Sequence, residues 1–466
     1  MPIAAKASAA LVFAKFFERG LSMISAPIFT RIMDTSQYGV TSNFSAWQSI
    51  LAIVITLNLA SGVFNNGMLE FEEDRDSFIC SLMLTSMVST VFFFCLYLMF
   101  PQYTQGVLGL SNELILLMFL YFFLSPNYGY WANKQRYEFK YKALTIMTIG
   151  SSILSLVTSV IVVLILPDEW KPLGKVIGSE IGLLILAAFF SVYNGFKAKF
   201  KVKKKYIIYA LKFNIPLIPH YLSMYVLSSS DRIMITNYCG TSKTAIYSVA
   251  YTVASIMLIF WSAIEASLVP WLYGELKADN IKNIRKSVNQ LMTVFAVVCF
   301  VSACFSPEII RILATEDYYE GIYIIPAVVA SVFFTALFNI YMRVELYYKK
   351  TGVSTIATTI SAVSNIVLNM IFIPRVGFIA AGYTTLFCYI VQTITHYIAV
   401  RTMKKNYIYD TKFLAVLSGI VILASTVVQI LYQYMLIRYM VIGIIFIGCF
   451  VFRNSLKEMI RKMKKR

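Results

Sequence analysis

LKFNIPLIPHYLSMYVLSSSDRIMITNYCG, residues 211–240, decides how the rest of the chain is read. It reads as one long apolar helix carrying Pro216, Pro219, His220 and, near its far end, Asp231 beside Arg232. None of these belongs on a lipid-facing helix without cause, because proline frees backbone groups and an ion in hydrocarbon costs free energy. The stretch also has a counterpart 201 residues earlier. At that offset Leu21-Ser22-Met23 falls on Leu222-Ser223-Met224, Arg31-Ile32-Met33 on Arg232-Ile233-Met234, Thr35 on Thr236 and Gly39 on Gly240, eight identities in the nineteen positions 21–39. The chain contains one unit twice.

Composition sets the solvent. With 59% hydrophobic and 14% charged residues over 466 positions and a mean hydropathy of +0.71, the sequence is far from a soluble domain, in which about one quarter of residues are charged. Spanning helices need about 20 mostly apolar residues. Fourteen such windows recur, at 8–32, 39–63, 77–100, 112–131, 142–166, 173–195, 206–237, 242–273, 287–306, 321–346, 352–373, 377–400, 412–430 and 432–452. The last two are the weakest, which leaves twelve spans as the alternative. The expectation is an all-α integral membrane protein: an N-terminal six-helix bundle (1–196), a basic cytoplasmic linker (197–205), a C-terminal six-helix bundle (206–402), two further helices (403–452) and a basic cytoplasmic tail (453–466). Six spans separate the copies, so both enter from the same side, as in a parallel repeat about an axis along the membrane normal.

The net charge of +18 raises the question of nucleic acid, and its distribution answers it. With both termini cytoplasmic, 29 of the 41 Lys and Arg fall on the inner side: Lys6, Arg75, the segments 134–142, 197–205, 277–286 and 401–412, Lys349, Lys350 and the tail from Arg453. That asymmetry is the positive-inside rule, and anionic headgroups are the partners it implies. Nucleic acid is set aside. The seven cysteines show no Cys-x-x-Cys and there are two histidines, so neither a zinc site nor a disulfide framework is expected. No phosphate-binding Gly-x-x-x-x-Gly-Lys-Ser/Thr loop occurs. The first helix holds Lys15, Glu18 and Arg19 and is not a cleavable signal. No cofactor and no metal are expected, and the chain does not read as an enzyme.

The candidate site residues are the ions and prolines of the two matched helices. Lys15, Glu18, Ser22 and Ser25 step by three or four and share a face, with Arg19 beside them. Lys15 and Arg19 lie roughly 10 to 17 Å along the helix, and each would cost about 2.5 to 3.5 kcal/mol facing lipid. They therefore face water or a bundle interior; Glu18 either neutralises them or shares a cavity with them. The 201 offset places Arg19 on His220 and Arg31 on Arg232, so protonatable or cationic groups recur at two depths. Lys15, Arg19, Arg31, His220 and Arg232 form the candidate substrate path, although an interfacial anchor suits Arg31 equally. Glu18, Glu180 and Asp231 are candidates for ion coupling or charge balance. Pro27, Pro216 and Pro219 are candidate hinges. Lys175, Arg343 and Glu345 read as anchors, His396 as a satisfied interior histidine, and Trp131 and Trp170 as interfacial aromatics.

Several segments resemble the polysaccharide flippases, the O-antigen and capsule branch of the MOP exporter superfamily: Phe213 to Leu217 through Ser228-Ser229-Ser230-Asp231-Arg232, Ala245 to Ala250, Pro270-Trp271, Arg31 to Asp34 with Tyr38-Gly39, and Asn369 to Ala381. The resemblance spans the first twelve helices. It implies two six-helix bundles forming a V around a cationic cavity, in the bacterial inner membrane. It implies movement of undecaprenyl-diphosphate-linked oligosaccharide from the cytoplasmic to the periplasmic leaflet, alongside other polysaccharide-assembly proteins. Arg31 and Arg232 match the family's basic positions; Lys15 and Arg19 are assigned by depth and face alone. A multidrug and toxin antiporter or a lipid II flippase is the alternative within the superfamily. An O-antigen polymerase or membrane glycosyltransferase is the alternative of another class, and it would need a larger outer loop than 307–320. A passive scaffold leaves the charges of the first helix unexplained.

Overall fold

The computed structural model describes residues 3–350 and 352–451, so the tail from Arg453 lies outside the described residues, as does the side chain of Lys6. Within them the chain is α-helical with short 3-10 turns. By its contacts it divides into two compact units, Met1–Ala245 and Ile246–Arg466. Each predicted span falls on a helix. Nine helices are long and apolar enough to cross a membrane by length and composition; the others matched to predicted spans are more polar or, in one case, only seventeen residues long.

The first unit holds α1 (Ile3–Ile32), α2 (Thr35–Ile55), α3 (Val63–Glu70), α4 (Arg75–Met99), α5 (Pro101–Leu108), α6 (Asn112–Tyr137), α7 (Tyr141–Ile165), α8 (Lys171–Lys197), α9 (Lys204–Asn214) and α10 (Ile218–Cys239). Asp34 starts α2 with a capping box, its carboxylate accepting from the Gln37 N–H at 2.8 Å while the Gln37 side chain accepts from the Asp34 N–H. The long apolar stretch 206–237 is broken where Pro216 removes a donor: Ile215–Leu217 is a 3-10 turn between α9 and α10, and Pro219 sits in the first turn of α10. Asn214, fully buried at the break, donates to the Leu57 carbonyl at 2.5 Å.

α10 packs along α2, with Ala46, Ile50 and Ile233 at the contact. At its C-terminal end two backbones touch: a Cβ on Gly39 would lie 1.8 Å from the Thr241 carbonyl oxygen. Gly39 and Gly240 are equivalent under the repeat, and Gly240 turns the chain with φ of +87°. The acidic 70–76 segment, an exception on the basic side of the sequence, has a local reason. Asp74 pairs with Lys203 and accepts from Tyr206 at 2.6 Å, and Asp76 pairs with Lys134 at 2.5 Å. Trp131, expected at a water boundary, is instead buried and stacked on Phe190 at 4.1 Å, because α6 and α8 pack closely there.

The second unit holds most of α11 (Thr241–Lys277), then α12 (Ile281–Cys304), α13 (Ser306–Leu313), α14 (Ile325–Tyr347), α15 (Gly352–Val376), α16 (Ile379–Thr402), α17 (Thr411–Leu431) and α18 (Met435–Val451). α14 is its central helix, packed on α12, α16 and α17, and apolar on nearly every side. α18 is fastened by an ion pair whose cation is buried: Arg438, 4% exposed, donates to the partly exposed Glu308 of α13, which also accepts from Tyr439 at 2.7 Å. Removing one partner of such a pair leaves the other uncompensated. We therefore expect Arg438→Ala to cost about 3 kcal/mol, read as a lower thermal midpoint of the solubilised protein. Arg438→Met with Glu308→Leu should recover most of that loss; a double variant no more stable than the single would exclude the charge pair as the cause.

Candidate functional site

Every candidate site residue lies in the first unit. Lys15, Glu18 and Arg19 are exposed on α1, about three to four turns from its start. Arg31, in the last turn, is exposed and donates to the Pro27 carbonyl at 2.5 Å; α1 runs unbroken through Pro27. On α10 Asp231 is buried, at 1% exposure, and Arg232 is half-buried, donating to the Ser228 carbonyl at 3.1 Å. His220, in the first turn of α10, has a buried Nδ1 with no hydrogen-bond partner.

Two of the candidate carboxylates meet. Glu18 and Glu180 line one open-sided cavity of about 310 Å³ bounded by α1, α7 and α8, with Tyr121 of α6. Glu18 makes no ion pair within 4 Å with Lys15 or Arg19 among the described residues. Seven serines line the same cavity. Five of them spend their one hydroxyl proton on main-chain carbonyls: Ser25 on Ser22 (2.6 Å), Ser151 and Ser152 on Thr148 (3.1 and 2.7 Å), Ser159 on Lys175 (3.2 Å) and Ser179 on Val176 (2.8 Å). A hydroxyl so committed presents only lone pairs to the cavity. Glu180 accepts from Gln48 at 3.2 Å. The walls are thus rich in oxygen acceptors, a donor set that suits a hard cation.

Lys175, expected to be an outer anchor, also lines this cavity. Its ammonium is held away from the carboxylates, donating to the Thr41 hydroxyl at 2.8 Å and lying over the Tyr38 and Phe29 rings at 3.6 and 5.0 Å. Sequence reasoning placed Ser22 and Ser25 on the face of Glu18 but missed this role of Lys175 and the serines of α7 and α8, yet a signal was there. Gly174, Gly178 and Gly182 recur every fourth residue on α8, the small-residue spacing that brings membrane helices together. A Cβ on Gly178 would lie 2.3 Å from the Ser159 Cα, and one on Gly182 would lie 3.0 Å from the Ser151 carbonyl oxygen. That close approach of α7 to α8 carries the serines of α7 alongside Glu180.

A family model described as polysaccharide biosynthesis protein matches residues 4–274, and one described as MatE matches residues 216–371. The chain is 22% identical over 368 residues to an uncharacterized membrane protein of Methanocaldococcus jannaschii, covering 75% of this chain and 72% of that one. It is 24% identical over 176 residues to the probable low-salt glycan biosynthesis flippase Agl15 of Haloferax volcanii, 37% of each chain. In fold it is similar to the lipid II flippase MurJ in an inward closed conformation, with a TM-score of 0.65 at 18% identity over 95% of this chain and 99% of that one. A multidrug resistance MATE family transporter of the MOP superfamily, in an outward-facing conformation, follows with a TM-score of 0.56 at 12% identity over 87% and 96%.

Because the obstacle at Gly178 is backbone, Gly178→Ala should separate α7 from α8 and lower stability by about 1 to 3 kcal/mol. Gly174→Ala meets the Leu166 side chain, which can turn away, and should cost less. Thermal unfolding of the two variants in detergent compares them; equal effects would remove the backbone contact as the explanation.

Proposed function

The chain belongs to the polysaccharide biosynthesis protein family, and on that premise we propose that it is a flippase for lipid-linked, undecaprenyl-diphosphate-type oligosaccharide. The headgroup would pass from the cytoplasmic to the outer leaflet by alternating access while the lipid tail stays in the membrane. One observation carries this reading: Lys15 and Arg19 are exposed on α1, whose apolar window 8–32 reads as a membrane span. Facing hydrocarbon each would cost about 2.5 to 3.5 kcal/mol, so the open side of α1 borders water. A hydrated face lined with cations is what a diphosphate needs to cross, because unpaired desolvation of its charge is prohibitive. Arg31, Arg232 and His220 extend the cationic set along α1 and α10, and arginine binds phosphate through two parallel N–H groups. The same cations argue against an exporter of cationic drugs. Pro27, and the Pro216 and Pro219 pair at the α9–α10 break, are the hinges of this scheme.

Energy would come from an ion gradient, with the cavity at Glu18 and Glu180 holding a proton or an alkali cation. Asp231 balances Arg232 beside it in the chain. The protein would sit in the bacterial inner (plasma) membrane with both termini cytoplasmic, an orientation supported by the side on which Lys and Arg collect. Products would pass to polysaccharide-assembly proteins of the outer leaflet.

The test is leaflet-resolved transport in liposomes loaded with a lipid-diphosphate oligosaccharide, followed by an external glycan-modifying enzyme. Arg19→Ala and Arg232→Ala should each slow exposure at least about tenfold, the loss of one charge-assisted contact, with lysine restoring part of the rate. Unchanged transport in both would end the cationic-path scheme. Glu180→Gln should leave exchange without a gradient intact and abolish its stimulation by an imposed proton or sodium gradient; a stimulation that persists would remove Glu180 from coupling.

A further inference from the structure

The second unit carries an ion pair that nothing above uses. Arg343 of α14 donates through Nε and Nη2 to a single oxygen of Glu265 on α11, at 3.1 and 2.7 Å. The arrangement is unsatisfied on both sides: two parallel donors share Oε1, while Oε2 and Nη1 have no protein partner among the described residues. It is also open, the two side chains being 25% and 19% exposed. An ion pair open to hydrocarbon is expensive, so the open side is aqueous. Its neighbour Glu345 offers the contrast, its carboxylate bound to His396 Nδ1 at 2.9 Å with both groups fully buried. Glu345 is committed there and lies two residues from Arg343, on another side of the helix. Glu265 is the one carboxylate within 4 Å of Arg343 among the described residues.

One helical turn beyond Arg343, about 6 Å along α14, Tyr347 meets Tyr273 of α11. Their ring centroids are 5.3 Å apart, the planes are tilted by 59°, and both residues are half-buried. The same two helices thus present a guanidinium with an exchangeable counter-ion and, a turn away, two aromatic rings. We infer that this is a phosphate–sugar subsite for the headgroup of a lipid-linked saccharide: phosphate oxygens displace Glu265 from Arg343, and the first sugar packs on Tyr273 and Tyr347.

Phosphate suits the guanidinium better than Glu265 does here, because separate oxygens can meet Nε and Nη2 where now they share one. Glu265 then acts as a stand-in anion that keeps Arg343 neutralised when no ligand is bound. A sugar ring has an apolar C–H face and polar edges, which tyrosine matches with an apolar ring and a hydroxyl. The inference rests on the flippase reading and adds a ligand site in the second unit to it.

The test uses the full chain in nanodiscs, titrated calorimetrically with farnesyl diphosphate and with the same diphosphate carrying N-acetylglucosamine. The unchanged chain should bind both. Arg343→Gln should weaken both by about tenfold, with Arg343→Lys between. Glu265→Gln should tighten both by several-fold, since the competing anion is gone; a purely structural pair would give weaker stability and no gain. Tyr347→Leu should weaken only the glycosylated probe. Binding indifferent to Arg343→Gln, a Glu265→Gln variant with no gain in affinity, or translocation without probe binding overturns the subsite alone. If the unchanged chain neither binds the probes nor translocates the full lipid, the subsite and the flippase reading fall together.

Discussion

A charge inside a bilayer must have a partner or water, and most of this molecule follows from how its charges meet that demand. The backbone meets it by being helical throughout the described residues. Side chains meet it differently in the two units. In the second, ions are paired: His396 with Glu345 is buried, while Arg438 with Glu308 and Arg343 with Glu265 are partly open. In the first, Lys15, Glu18 and Arg19 stand exposed on α1, and Glu18 shares an open-sided polar cavity with Glu180.

Close backbone approach positions those groups. Lipid is as apolar as leucine, so helices in a membrane gain little by burying large apolar side chains against each other, and small residues let backbones meet. Glycine at 178 and 182 admits the α7 backbone, and the serines of α7 arrive beside Glu180. Glycine at 39 admits Thr241 at the point where the repeated motif meets its own copy. In the second unit Gly382 makes room for the Ile324 side chain.

The basic segment 197–205 reads as a cytoplasmic linker. In the structure Lys203 is tied to Asp74, and Tyr206 donates to the same carboxylate. The acidic 70–76 segment and the basic segment neutralise one another locally. Neither run could be paired with the other from the chain alone, since 129 residues separate Asp74 from Lys203.

The sequence by itself determined the solvent, the approximate bounds of the long apolar helices and Pro216 as a point where the stretch 206–237 bends. These depend on local composition, on apolar length and on the missing proline N–H, none of which needs a partner elsewhere in the chain. It also marked Glu18 and Glu180 as residues requiring explanation, because ions within apolar runs stand out. Only the tertiary structure decided which charges meet. It placed Glu18 with Glu180, drew Lys175 into their cavity and parked it on Thr41, and gave Arg343 its partner in Glu265. The reason is geometric: hydropathy measures how long a helix is and how apolar, while partner choice depends on the rotation of each helix about its axis. That rotation is set by packing such as the Gly178 contact with Ser159, which exists only once α7 and α8 lie together.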